Sequence, residues 1–248
     1  MGSRERRPRA RALLDDIDLL VFDKDGTLIE FHLMWGRWVD DLASRLEAAA
    51  GQPLRERLYP LLGVDAQTGL VHAHGLLAAT PMSRIREVVE AEVAAAGAMP
   101  DAAAAAVAEA WHPPDPVALA HPVTDLPALL ERLRRRVSTF AVATSDDRDP
   151  TERTLAALGI RAEFAGIVCA DDGIRTKPSP DPVLHLCRTL GIDPSRTAVV
   201  GDSPADLLMA QGAGAARAIG VLTGVGDRHS LAPYADAVID SIAELAPA

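Results

Sequence analysis

Apolar and polar positions along this chain alternate between two patterns. Short, nearly unbroken apolar runs predict buried strands at residues 17–22, 137–143, 165–169, 197–200 and 215–221. Between them, apolar residues recurring three and four positions apart predict amphipathic helices over 125–135, 150–158, 180–190 and 204–213. Thr124 or Asp125 precedes the first of these helices and proline stands in the first turn of the other three; Gly159, Gly191 and Gly214 follow helix ends. Unbroken strands alternating with helices predict an α/β fold in which a parallel sheet is covered on both faces.

One interval breaks the rhythm. From Asp23 to Thr144 the chain advances about 120 positions, far more than one crossover helix needs, and a structureless loop of that length is not expected in a compact protein. Helical patterns at 35–50, 54–62, 83–96 and 101–111 fill it, with no strand alternation. The return passage "WHPPDPVALAHPVTDLP" is proline-rich and reads as a stiff linker. The expected organisation is a mobile, solvated tail over 1–14, an α/β core made of 15–30 and 118–248, and an inserted all-helical domain over 31–117.

Charge and composition narrow the function classes. A net charge of −10 argues against nucleic acid as a partner. No apolar run approaches the roughly 20 residues that span a bilayer, and the basic start lacks an apolar signal-peptide segment, so the expectation is a cytoplasmic protein with no membrane partner. Cys169 and Cys187 have no metal-type spacing and read as buried thiols. Monomer and homodimer both stay open.

The candidate chemistry lies at strand ends, which in open parallel sheets is where ligands bind. The first strand ends in Asp23-Lys24-Asp25-Gly26-Thr27, the second in Thr144-Ser145-Asp146-Asp147, and the fourth, "VVGDSPAD", in Gly201-Asp202 with Asp206 one helical turn later. "TKPSPDP" sets Lys177 before a further helix; Lys24 and Lys177 are the only lysines among 25 basic residues. Several carboxylates at one edge raise each other's pKa unless a cation joins them. An oxygen-only donor set suits Mg²⁺. With hydroxyl donors and one lysine added, the parts describe a phosphoryl-transfer site.

Asp-x-Asp-Gly-Thr, a strand ending Thr-Ser, Lys-Pro and Gly-Asp-x-x-x-Asp, in this order, resemble the haloacid dehalogenase superfamily over Ile17 to about Gly224. The resemblance implies a Rossmann-like core, and the insertion resembles the helical type-one cap of that superfamily's phosphatases. It implies that Asp23 is the nucleophile, forming an aspartyl-phosphate, and that Asp25 is first general acid and then general base. Thr144 and Ser145 would bind phosphoryl oxygens, and Lys177 would hold Asp23 and the phosphate. Asp202 would bind Mg²⁺ with an Asp23 oxygen and the Asp25 backbone carbonyl, and Asp206 would hold a metal-bound water. Gly26 suits a turn conformation that side chains disfavour.

Within the superfamily, Asp25 speaks against dehalogenation, which needs no proton donor, and the lysine-free insertion speaks against Schiff-base phosphonate hydrolysis. The favoured reading is a Mg²⁺-dependent phosphatase acting on a small phosphorylated metabolite. The start of the insertion, "IEFHLMWGRW", resembles proteins called phosphoglycolate phosphatase, which points to 2-phosphoglycolate or a phosphosugar. A phosphomutase with the same core, or a phosphate-accepting signalling or binding module, is the alternative. Arg37 could meet a substrate carboxylate, or Trp35, Arg37 and Trp38 could be helix packing with a solvated arginine. His72 and His74 read as ordinary surface or core histidines, and Asp206 equally as a helix-start acid.

Overall fold

The computed structural model describes residues 10–72, 75–80, 82–113, 115 and 117–247. The chain divides into two compact units, Met1–Glu30 with Pro116–Ala248, and Phe31–Asp115. In chain order the elements are β1 (Leu19–Phe22), α1 (Phe31–Ala50), α2 (Arg55–Leu62), α3 (Leu76–Ala79), α4 (Met82–Ala95), α5 (Pro100–Ala110), α6 (Leu126–Leu133), β2 (Thr139–Ala143), α7 (Arg148–Ala157), β3 (Phe164–Val168), α8 (Asp181–Leu190), β4 (Thr197–Gly201), α9 (Pro204–Ala213), β5 (Arg217–Val221), α10 (Arg228–Leu231) and β6 (Ala237–Ile239).

The first unit is built on one parallel sheet with strand order β3-β2-β1-β4-β5-β6. Side chains of successive strand residues point to opposite faces. Leu20 and Phe22 therefore join Phe140, Val142 and Val200 in one core layer, while Leu19 and Val21 join Ala141, Ala143 and Val199 in the other. Both layers must be apolar, which is why the strands read as unbroken runs. The order reverses between β1 and β4, so their carboxyl ends flank the crevice where such sheets bind ligands.

Helix ends follow their signals. The Asp125 carboxylate accepts from the Ala128 N–H at the start of α6, and Gly191 and Gly214 close α8 and α9 in left-handed conformation. The passages that leave and re-enter this unit pair with each other. Glu30 N–H donates to His121 O and Val123 N–H to Leu28 O, with Ile29 bridged antiparallel to Pro122.

Several expectations differ from the structure: α1 starts at Phe31 rather than 35, and the short helices α3 and α10 have no predicted counterpart. Helix α7 starts at Arg148, ahead of Pro150, because the chain turns at Asp147. The short sixth strand, Ala237–Ile239, was not foreseen; it pairs with β5. Ala10–Leu14, inside the expected tail, form a 3-10 turn whose Leu13 and Leu14 are buried in the core, since two adjacent leucines gain more from burial than from solvent. Residues 1–9 of that tail, and His74, lie outside the described residues.

The second unit is helical. Trp38 packs edge-to-face against Trp35 and Trp111 at 5.6 and 5.4 Å between ring centroids, and its indole N–H donates to His112 O at 2.7 Å. Trp38 is thus a packing residue, whereas Arg37 is exposed on α1. Glu47 on α1 accepts from the backbone N–H groups of Leu54 and Arg55, capping α2 from outside. Arg84 on α4 is exposed and pairs with Glu87; His72 is exposed as well. No helix among the described residues is long and apolar enough to cross a membrane.

Candidate active site

The end of β1 carries Asp23. Its N–H donates to Val200 O at 2.9 Å, extending the β1–β4 ladder by one residue and fixing the carboxylate beside the end of β4. The chain then turns sharply: Lys24 O accepts from the N–H groups of Leu28 and Ile29 and Gly26 N–H donates to Ile29 O, with Gly26 at φ +85°. A Cβ on Gly26 would lie 2.5 Å from Asp202 Oδ2, so both backbone conformation and space require glycine.

Strand β4 delivers Asp202, and the first turn of α9 delivers Asp206. Ser203 caps α9 by accepting from the Asp206 N–H at 3.4 Å, while its Oγ and its N–H donate to Asp206 Oδ2 at 2.6 and 3.1 Å. Asp206 is therefore both a cap residue and a site residue, so the bland and the functional readings hold together. Lys177, from the loop between β3 and α8, reaches across with Nζ 2.5 Å from Asp23 Oδ1 and 2.6 Å from Asp206 Oδ1. The Asp206 contact is an ion pair without hydrogen-bond alignment, and Asp206 Oδ1 accepts no hydrogen bond.

Carboxylate oxygens of Asp23, Asp202 and Asp206 all lie within 4.8 Å of one another, and all three residues are buried. Burial, reinforced by Asp206 and Asp25 against the opposing pull of Lys177, pushes the Asp23 carboxyl up to about 7. Burial and the neighbouring Asp23 and Asp206 raise Asp202 well above the ordinary carboxylate range. Burial alone would lower the Lys177 ammonium, but Asp206 and Asp23 outweigh it and raise it. Three buried acids face one lysine. That donor set is all hard oxygen with uncompensated negative charge, and it fits a divalent cation.

Thr144 ends β2. Its N–H donates to Val168 O at 2.9 Å, and its hydroxyl is buried and accepts from Asp146 N–H at 3.1 Å. Ser145 beside it is exposed. The Asp25 side chain stands apart from the three-acid cluster, with Oδ1 2.6 Å from Lys24 Nζ. Asp23, Asp25, Thr144, Ser145, Asp202 and Asp206 thus follow strand ends on the switch-point side of the sheet, Lys177 joins Asp23 to Asp206, and Arg37 belongs to the helical unit.

Two further groups were missed. Lys24 is only 2% exposed and joins Asp25 to Asp146, whose carboxylate is 3.2 Å away; the rarity of lysine in this chain was the available signal. The loop after β5 also belongs here. Thr223 Oγ1 donates to Gly26 O at 2.5 Å, and Val225 N–H donates to Asp202 Oδ2 at 2.7 Å. Its glycines, in "TGVG", were the clue: a Cβ on Gly224 would lie 1.9 Å from Asp202 Oδ2.

A family model for hydrolases, the haloacid dehalogenase-like hydrolases, matches residues 17–214. Phosphoglycolate phosphatase of Chromobacterium violaceum is 47% identical over 88 residues, which cover 36% of this chain and 38% of that protein, so this match spans less than half of that relative. Validoxylamine A 7'-phosphate phosphatase of Streptomyces hygroscopicus subsp. limoneus is 30% identical over 78% of this chain and 81% of its own length. Among solved structures, a HAD-superfamily hydrolase, subfamily IA, variant 1, of Geobacter sulfurreducens PCA has a TM-score of 0.66 and 20% identity, covering 93% of this chain and 95% of that one; it shares the fold.

Proposed function

Because the chain belongs to the haloacid dehalogenase-like hydrolases, we propose that it is a Mg²⁺-dependent phosphatase that cleaves small phosphate monoesters through an aspartyl-phosphate on Asp23. The observation that carries this reading is the contact of Lys177 Nζ with Asp23 Oδ1 inside a buried cluster of three acids. A carboxylate held by a lysine at the end of a central strand is oriented for attack and kept from collapsing onto its acidic neighbours.

In the first half-reaction an Asp23 oxygen attacks phosphorus while the ester P–O bond breaks, and Asp25 gives its proton to the departing oxygen. In the second, water attacks the phosphorus of the aspartyl-phosphate, Asp25 takes the proton from that water, and Asp23 leaves as a carboxylate with inorganic phosphate released. Thr144 and Ser145 bind the phosphoryl oxygens by hydroxyl and backbone donors, and Lys177 offsets charge that builds on them. Asp23 and Asp202, with the Asp25 backbone carbonyl and with Asp206 through water, would hold Mg²⁺, which supplies the positive charge that lets two anions meet.

The names of the relatives support a small substrate, 2-phosphoglycolate or a phosphosugar. We assign recognition of a substrate carboxylate to Arg37. Arg37→Ala should then raise KM for a substrate bearing a carboxylate and leave kcat within about threefold.

The experiment is phosphate release from para-nitrophenyl phosphate and 2-phosphoglycolate with and without Mg²⁺, repeated on Asp23→Asn. The wild type should need the metal, and Asp23→Asn should fall to background. A folded wild type that releases no phosphate from either ester in Mg²⁺ would overturn the reading.

A further inference from the structure

Both lysines of the chain are buried, and only one of them, Lys177, touches the nucleophile. Lysine is among the side chains least often found inside a protein, and taking an ammonium out of water costs several kcal/mol unless partners replace the water. At position 24 an apolar side chain of similar length would fill the same space without that cost. The head group of Lys24, not its volume, is therefore what the position uses.

That head group has two partners, Asp25 Oδ1 at 2.6 Å and Asp146 Oδ2 at 3.2 Å. Both carboxylates keep some contact with solvent, their side chains being 20% and 36% exposed. Asp146 is tied in turn to the phosphate-binding turn, because its N–H donates to Thr144 Oγ1. Burial alone would lower the Lys24 ammonium, but Asp25 and Asp146 outweigh it and raise it.

We propose that Lys24 is a positioning residue that clamps Asp25 Oδ1, leaves Oδ2 as the oxygen that carries the proton, and anchors the Asp25 turn to the Thr144–Asp146 turn. This inference rests on the proposed role of Asp25 as proton donor. In the step concerned, the ester oxygen leaves phosphorus with its bonding pair and takes the Oδ2 proton, and Asp25 becomes a carboxylate held by Lys24. Lysine suits this better than the fork of an arginine, because a compact point charge meets two differently oriented oxygens.

The test is Lys24→Met, Asp146→Asn and Asp25→Asn, each assayed for kcat/KM in Mg²⁺ with two esters. One is an alkyl phosphate that the wild type hydrolyses; the other is para-nitrophenyl phosphate, whose leaving group departs without a proton. Melting temperature and inhibition by inorganic phosphate are measured alongside. Lys24→Met should lose about 100-fold on the alkyl ester and less than about fivefold on the nitrophenyl ester, with phosphate inhibition changed less than about threefold. Asp146→Asn should show the same selectivity at smaller size. An equal loss on both esters, or no loss, overturns the inference, and if Lys24→Met does not fold the same criterion is applied to Asp146→Asn. Selectivity in Asp25→Asn without selectivity in the clamp variants overturns this inference alone. No selectivity in Asp25→Asn overturns the Asp25 assignment, and the clamp with it.

Discussion

The ammonium of Lys177 lies 2.5 Å from Oδ1 of Asp23, a residue 154 positions away in the chain. Asp206 lies on its other side, so this one ammonium is paired with two of the three buried acids. Lys177→Met keeps the stem and deletes the charge. Removing one partner of a buried ion pair costs about 3–5 kcal/mol, and losing charge stabilisation in the reaction costs about 10²–10³ in kcat. Urea unfolding in EDTA should show the first loss and steady-state kinetics the second. A variant as stable as the wild type in EDTA would mean that the acids do not depend on this lysine.

Gly224 sits where a methyl group would collide with the Asp202 carboxylate. That carboxylate cannot move aside freely, because Val225 N–H holds Oδ2 at 2.7 Å and the residue is buried. Gly224→Ala should fold but turn Asp202 out of the cluster. The expected result is a fall of about 10–100-fold in Mg²⁺ affinity, measured by titrating activity with the metal. An unchanged titration would mean that Asp202 contributes nothing to holding the cation.

Ser203 and Asp206 form a reciprocal cap on α9, and each bond of it separates two functions. Ser203→Ala removes the side-chain half, while the Ser203 N–H still anchors Asp206 Oδ2. It should cost about 1 kcal/mol of stability and little activity. Asp206→Asn keeps an oxygen for the cap but deletes the charge facing Lys177, so it should lose much more activity than Ser203→Ala. Similar activity in the two variants would show that Asp206 serves the helix alone.

The residues that chemistry needs at strand ends could be read directly, because an acid that stops an apolar run is conspicuous in one dimension. Asp23 and Asp202 are of that kind, and the reversal of strand order between β1 and β4 brings their strands' carboxyl ends to one edge. The length of the insertion likewise marked a separate helical unit. Lys24 was passed over because its meaning lies in its burial and in Asp146, a partner 122 positions away, neither of which is a local property. The loop Thr223–Gly226 was passed over for a similar reason: it contributes backbone groups and empty space, which residue type records only as glycine. Strand β6, three residues long, is too short for a periodic pattern to form.

The acids of the cluster make stability depend on pH and metal together. Burial, with Asp206 and Asp25, raises Asp23 from 3.8 to about 7 in the folded chain, whereas the unfolded chain releases that proton near 3.8. Between those values the native state binds more protons than the unfolded one, so this contribution is full below about 4 and is lost as pH rises through about 7. Asp202 is raised by burial and by Asp23 and Asp206, and acts in the same direction. A divalent cation held there, as proposed, would take over the role of those protons, binding against them at low pH and without competition at high pH. In EDTA, melting temperature should therefore fall between pH 5.5 and 8, and added Mg²⁺ should raise it little at pH 5.5 and clearly at pH 8. Asp23→Asn, which carries no titrating group at that position, should flatten both trends. Calorimetry across that range, with and without Mg²⁺, decides it: a metal-induced shift of equal size at pH 5.5 and pH 8 would show that these carboxyls do not exchange a proton for the cation.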